Sequence, residues 1–394
     1  MRKYVFAYPR LFWYLAGLFL CLSACLPPDA QHRASAKISA IEALSSQSGS
    51  LGFARALKPR PFVFPQDAGP HPDFQTEWWY YTGHLSTSAG RDFGYQLTFF
   101  RRGLKPGLAR KDNAWATHQI YFAHLALSDL QNQQFYAQER WQRGSLGLAG
   151  AQAQPFKVWL QNWQVQTLPD GSTALQAQNQ DFELRLKLSS RKPVVLHGQA
   201  GLSQKSPQAG NASYYYSQTR LQSEGSLKLK GEQWAVKGQS WLDREWSTSV
   251  LSKQQVGWDW FSLQLDDGRE LMLYQLRNRD PGKNSNERDQ RKDPISSGSL
   301  IDKEGKKTAL QASDFQIEVL GQWQSPHTGV VYPSGWRLSL PKYALKLELQ
   351  PLQKDQELRL SFAYWEGAVQ VSGAGLSGKG YVELTGYEHR FGAK

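Results

Sequence analysis

Glu224-Gly225-Ser226-Leu227-Lys228-Leu229-Lys230-Gly231 and, much later, Glu366-Gly367-Ala368-Val369-Gln370-Val371-Ser372-Gly373 share one frame. Each alternates with a period of two, the pattern of a strand with one dry and one wet face. Lys237-Gly238 follows the first stretch and Lys379-Gly380 follows the second in register. An aromatic hairpin precedes each. Trp78-Trp79-Tyr80-Tyr81 runs through Gly90-Arg91-Asp92 to Tyr95-Gln96-Leu97, and Trp258-Asp259-Trp260-Phe261 runs through Gly268-Arg269-Glu270 to Tyr274-Gln275-Leu276. Hairpin first and Glu-Gly strand later, in both halves, predicts a duplicated β-domain. The boundary falls near Val250, giving copies over 55–250 and 251–394.

The remaining sequence agrees. Leu184-Arg185-Leu186-Lys187-Leu188 and Leu345-Lys346-Leu347-Glu348-Leu349 alternate, and Asp170-Gly171 and Asp267-Gly268 sit between such runs as hairpin turns. Helical periodicity is scarce, so the chain is all-β. Each copy holds roughly eight to ten strands, enough for two tandem antiparallel β-barrels with room for one ligand. Composition narrows the class. Among 394 residues, 15 Trp, 17 Tyr and 18 Phe exclude disorder, and 2 Cys exclude a disulfide framework. No Lys/Arg cluster among aromatics argues for nucleic acid.

The N-terminus reads as a leader. Arg2, Lys3 and Arg10 precede the apolar run from Leu11 to Leu20, which ends in Leu22-Ser23-Ala24-Cys25. A basic start and a short apolar stretch form a secretory signal over 1–24, and its end resembles a bacterial lipobox with Cys25 as the acylated residue. Several acyl chains hold a protein stably on a membrane. Leu26 rather than Asp after Cys25 points to the outer membrane, periplasmic face. Losing three basic residues and no acidic one lowers the formal charge from +12 to +9. Residues 25–54 read as a flexible tether with space for a short helix over 36–44.

Two segments concentrate chemistry. On a strand, Glu77, Trp79 and Tyr81 face one side, and Trp78, Tyr80 and His84 the other. Glu77 among rings is either a desolvated candidate acid or the partner of an Arg such as Arg101. In Trp241-Leu242-Asp243-Arg244-Glu245-Trp246, Trp241, Asp243 and Glu245 share a face, opposite Arg244 and Trp246. The repeat places Thr385 where the first copy has Asp243, so the charge is not demanded by the fold. His118 and His124 lie about 20 Å apart on a strand, too far to share a metal; either lines a pocket or is a satisfied structural histidine. Tyr214-Tyr215-Tyr216 reads as pocket wall or core. No zinc spacing, phosphate-cradling glycine loop or Gly-x-Ser-x-Gly elbow is present.

Glu77-Trp78-Trp79-Tyr80-Tyr81-Thr82-Gly83-His84-Leu85, the His118 to His124 strand, Trp241 to Trp246 and Gly380-Tyr381-Val382-Glu383-Leu384-Thr385-Gly386-Tyr387 together resemble the AttH/CrtC-like lipocalin family. That group includes predicted secreted hydrolases, carotenoid 1,2-hydratases and fungal pericyclases. The resemblance implies two lipocalin-like barrels packed together and no cofactor. In the carotenoid hydratases an Asp in this region is the acid that protonates an isoprenoid double bond, and Asp243 matches it. The chain departs from those enzymes at Arg244-Glu245 and at Tyr214 to Tyr216, which places it in the secreted branch; members of that branch occur beside export-type ABC transporters. The expectation is therefore a membrane-anchored binder of a hydrophobic molecule or lipid, with an ABC transporter permease as partner. The alternative is an acid-catalysed hydratase, hydrolase or isomerase acting on an isoprenoid-like or ester substrate. The candidate residues are Asp243 and Glu77 for catalysis, and Trp79, Tyr81, His118, His124, Tyr214, Tyr216, Trp241, Trp246 and Trp258 for binding.

Overall fold

The computed structural model describes residues 50–107, 113–249, 251–252, 254–279, 291–373 and 375–387. The signal segment 1–24, Cys25, the helix expected over 36–44 and most of the tether lie outside the described residues.

The first sheet contains β1 (Thr76–Ser86), β2 (Asp92–Gly103), β3 (Gln119–Asp129), β4 (Gln134–Arg143), β5 (Ala149–Ala153), β6 (Phe156–Leu160) and β7 (Trp163–Thr167). It continues with β8 (Thr173–Gln178), β9 (Phe182–Ser190), β10 (Val195–Leu196), β11 (Leu202–Gln204), β12 (Ala212–Leu229) and β13 (Glu232–Ser247). Its order is β4-β3-β2-β1-β13-β12-β9-β8-β7-β6-β5, with β10 and β11 on β12.

The second sheet contains β14 (Gln255–Leu265), β15 (Glu270–Asn278), β16 (Arg291–Lys292), β17 (Ser297–Ile301), β18 (Lys307–Gln311) and β19 (Gln316–Val319). A small separate pair, β20 (Gln322–Gln324) and β21 (Val331–Pro333), precedes β22 (Trp336–Leu340), β23 (Leu345–Pro351), β24 (Glu357–Arg359), β25 (Ala363–Gly373) and β26 (Leu376–Thr385). The order is β18-β17-β15-β14-β26-β25-β23-β22-β19, with β16 on β15 and β24 on β25.

The repeat in sequence is thus a repeat in topology: β3-β2-β1-β13-β12-β9 matches β17-β15-β14-β26-β25-β23. The sheets have 13 and 11 strands, more than the sequence suggests. The excess lies in strands of five residues or fewer, too short to show alternation. With Lys237 matched to Lys379, Tyr80 lies opposite Asp243 and Trp258 opposite Thr385. The hairpins therefore superpose Tyr80, not Trp78, on Trp258, a slip of one full pleat that keeps the face.

Each sheet curls around its own core, lipocalin-like. Trp79, Tyr81, Leu97 and Trp163 fill the first barrel; Phe261, Trp336 and Trp365 fill the second. Two further clusters lie between the barrels, one around Tyr80, Tyr215, Trp241 and Trp260, the other around Phe100, Phe122 and Tyr364. Strand β1 is consequently buried on both faces, which is why Trp78 to Tyr81 is unbroken by polar residues. The barrels approach closely. A Cβ on Gly94 would lie 2.7 Å from the Tyr381 hydroxyl and 2.8 Å from Ala368 Cβ of the other barrel. Glu270, fully buried in the second barrel, accepts Lys192 Nζ at 2.8 Å and Arg220 Nε at 2.5 Å from the first.

Candidate active site

Asp243 sits on β13 between β1 and β12, beside Tyr80 and Ser217. It is 3% exposed. Trp241 Nε1 donates to its Oδ1 at 2.6 Å, the Ser217 hydroxyl donates to the same oxygen, and the Tyr215 hydroxyl donates to Oδ2 at 2.6 Å. Trp260 Nε1 in turn donates to Tyr215 at 3.2 Å. Burial pushes the Asp243 carboxyl up to about 7; the donors oppose that rise and neighbouring Glu245 adds to it. Asp243 can therefore hold a proton near neutral pH.

Behind it lies His197. Its Nε2 is 2.6 Å from Ser217 Oγ and its Nδ1 2.9 Å from Ser299 Oγ. Burial holds the ring well below the usual histidine range, so it is neutral. Because Ser217 gives its one hydrogen to Asp243, His197 donates from Nε2 and accepts at Nδ1.

These groups line a cavity between the barrels, with about 850 Å³ of atom-free space including its mouth. One wall comes from β1, β2, β12 and β13, the other from β14, β15, β25 and β26. Trp78, Leu251, Trp258 and Glu383 are the lining residues that keep some exposure. Glu245 accepts the Ser213 hydroxyl and pairs with Lys205 Nζ at 2.9 Å. Lys205 also lies 4.3 Å over the Tyr274 ring. Glu366 accepts the Tyr80 hydroxyl, and Glu383 accepts Thr385 Oγ1 at 2.9 Å.

The structure brings Asp243, Trp241 and Trp258 together and sends most of the other candidates elsewhere. Glu77 is fully buried inside the first barrel, paired with Arg101 and Arg244 and bonded by the His71 backbone N–H at 3.0 Å. Burial alone would raise its carboxyl, but Arg101 and then Arg244 outweigh it and hold the group well below the carboxylate range. Glu77 is thus a fixed anion and not an acid. Trp79 and Tyr81 pack into the first core, with Trp79 Nε1 bonded to Ala68 O at 2.9 Å. Trp246, Tyr214 and Tyr216 form a separate cluster under Phe62 and Phe74. His118 precedes β3 and is half-buried outside the cavity lining. His124 stands one layer back, bonded to the lining residue Tyr364 at 2.8 Å and to Glu139 at 3.0 Å.

Tyr215, not Tyr214 or Tyr216, serves Asp243, and a register shift explains why. Pairing runs Leu221 to Ser240 on one side of a bulge and Gln218 to Leu242 on the other. An unbulged hairpin would set Asp243 opposite Gln218 and turn Tyr214 and Tyr216 to its face. The extra residue flips the face of everything beyond it. His197, Ser217, Tyr80, Trp260, Glu366 and Glu383 escaped the sequence reading. A usable signal lay only in the pair Glu366 and Glu383, carboxylates within otherwise apolar strands.

Among curated proteins, none matches the chain. A crystal structure of a Nitrosomonas europaea protein provisionally assigned as AttH is 34% identical, with a TM-score of 0.75, covering 85% of this chain and 99% of that one. Kievitone hydratase from Nectria haematococca shares the fold at 15% identity and a TM-score of 0.61, over 85% of this chain and 98% of that one. CghA with Sch210972 shares it at 12% identity and 0.51, over 86% and 97%. The profile of the AttH-like family matches residues 55–387, and the chain belongs to that family.

Proposed function

We propose that the inter-barrel cavity is an acid-catalytic site of the hydratase type, with Asp243 donating a proton to a carbon–carbon double bond of a hydrophobic, isoprenoid-like substrate. The observation that carries this is a carboxyl 3% exposed and raised to about 7 among aromatic walls. An acid with a pKa near the working pH transfers its proton most effectively, and ring faces stabilise the cation that results. Similarity in fold to kievitone hydratase supports the reaction class.

Ester hydrolysis fits the wiring less well. Ser217, His197 and Asp243 are the residue types of a hydrolytic triad in the wrong order. A nucleophilic serine must hand its proton to the histidine, whereas Ser217 hands its proton to Asp243.

The test incubates the protein with isoprenoids and prenylated phenols in ¹⁸O-water and follows uptake of one labelled water by mass spectrometry. Asp243→Asn abolishes the product and leaves the melting temperature within a few degrees. Retained turnover overturns the assignment.

The largely apolar walls also favour a carrier reading. In it the protein holds a hydrophobic ligand at the outer membrane through acylated Cys25 and passes it to an ABC transporter permease. Native mass spectrometry of protein from its own membrane, showing retained lipid and no turnover, would select that reading.

A further inference from the structure

Glu366 and Glu383 are strand partners on the second-barrel side of the cavity, and the proton donation assigned to Asp243 uses neither. Glu366 is 1% exposed; its Oε1 accepts Tyr80, and its Oε2 finds no partner among the described residues. A buried carboxyl oxygen without a protein partner is uncommon, and on a cavity wall it is a polar atom open to whatever fills the cavity. The charge balance says which kind. Among the described residues, four carboxyl groups line the cavity, Asp243, Glu245, Glu366 and Glu383, against one ammonium, Lys205, already paired with Glu245. The indole rings of Trp78, Trp258 and Trp260 line the same space, and such rings attract positive charge at their faces.

We infer that Glu366 and Glu383 form a cation-holding wall, so that the cavity takes hydrophobic ligands that carry a positive charge or acquire one on protonation. The inference rests on the reading of the cavity as the ligand site and gives that site its second half. The double bond's π pair forms a C–H bond with the proton from Asp243, and the positive charge stays on the neighbouring carbon. A water oxygen donates a lone pair to that carbon, and the Glu383 carboxylate takes the proton the water releases. One water is added overall; solvent returns the proton from Glu383 to Asp243. Burial and the adjacent Glu383 push Glu366 well above the usual range, so its ionised form is favoured only when a positive charge lies against it, whereas burial brings Glu383 to about 7, suited to a base at neutral pH.

Phenyltrimethylammonium and tert-butylbenzene share a shape and differ by a charged nitrogen for a carbon. Isothermal titration calorimetry on the full-length protein at pH 8 should show the cation bound about tenfold more tightly. The preference narrows at pH 5.5 as carboxyl groups protonate. The groups facing the probe are Asp243 and Glu245 on β13, Glu366 on β25 and Glu383 on β26, with Lys205 and the phenols of Tyr80, Tyr215, Tyr274 and Tyr364 around them. The double variant Glu366→Gln, Glu383→Gln should bring the ratio close to one. Should it fail to fold, Glu383→Gln and the wild-type pH comparison carry the test. Equal affinities, a preference that survives the substitutions, or no binding of the cation at pH 8 overturns the inference. Equal affinities leave the acid role of Asp243 standing, whereas turnover by Asp243→Asn removes that role and not this preference.

Discussion

Replacing Tyr215 by Phe removes the 2.6 Å hydrogen bond to Asp243 Oδ2 and keeps the ring. The ionised carboxylate gains most from that bond, and a hydrogen bond to a charged group is worth about 1.5–3 kcal/mol. At 1.36 kcal/mol per pKa unit, the Asp243 value should rise by about 1–2 units from its present value of about 7. The sign for stability follows from linkage. The folded value lies above the unfolded value of about 3.9, so the stabilisation from Asp243 is full in acid and lost as pH rises through about 7. In the variant that loss continues over about 1–2 further pH units. Relative to wild type, Tyr215→Phe should therefore be about 1–2 kcal/mol less stable at pH 9 than at pH 5. Guanidinium unfolding at the two pH values measures this without a substrate. Loss of the acceptor for Trp260 affects both pH values alike and cancels. Tyr214→Phe is the control, because its hydroxyl donates to the Lys58 carbonyl at 2.9 Å and, among the described residues, not to Asp243. A gap that is equal at both pH values, or larger at pH 5, refutes the reasoning.

Glu77→Gln leaves Arg101 and Arg244, both fully buried, without their counter-charge. It should cost about 3–5 kcal/mol at pH 7 in unfolding experiments. Because the folded carboxyl is held low, that stabilisation is present above the unfolded value and the gap to wild type closes as pH falls below about 4. Asp243→Thr, which installs the residue of the second barrel, should melt no lower than wild type at pH 8, since it removes a buried carboxyl that is ionised there; a drop of more than a few degrees would mean Asp243 is a structural partner. Cys25→Ser should abolish labelling with radioactive palmitate and move the protein from the membrane fraction to the soluble one.

The fold was largely legible because its strands have one wet face. Leu184, Leu186 and Leu188 are buried with exposed or half-buried residues between them on β9, and Leu345, Leu347 and Leu349 repeat the pattern on β23. Gly171 and Gly268 adopt the positive φ that their turns require. The site was legible only where alternation survives. Asp243, Trp241 and Glu245 share a face as their spacing says, and Glu77 and Arg244 meet on the other. The first failure came at Tyr214 to Tyr216, where a bulge reverses faces and nothing in an all-aromatic run marks it. The second came at His197, which follows the two-residue β10 and reaches Asp243 only through Ser217 on another strand. Contacts made between barrels, such as Tyr80 with Glu366, depend on docking that no local pattern encodes.

Position 243 separates what the barrel needs from what the cavity does. Asp243 and Thr385 occupy matched places in the two copies, and both reach the same cavity. Thr385 meets the packing requirement there with a hydroxyl that donates to Glu383 at 2.9 Å. Asp243 fills the matched place at the expense of desolvating a carboxyl, a cost of several kcal/mol for an ion and less for the neutral acid. Three donors only partly offset it, and the group still rises to about 7. A residue selected for stability alone would have been Thr in both copies, or Asp with a cation beside it as Glu77 has. Asp243 has neither, and its nearest charged neighbour on the same strand face is another carboxylate, Glu245, whose cation Lys205 is already engaged. The duplicated scaffold thus contains its own control: at matched places on one cavity the first copy sets a buried carboxyl and the second a hydroxyl.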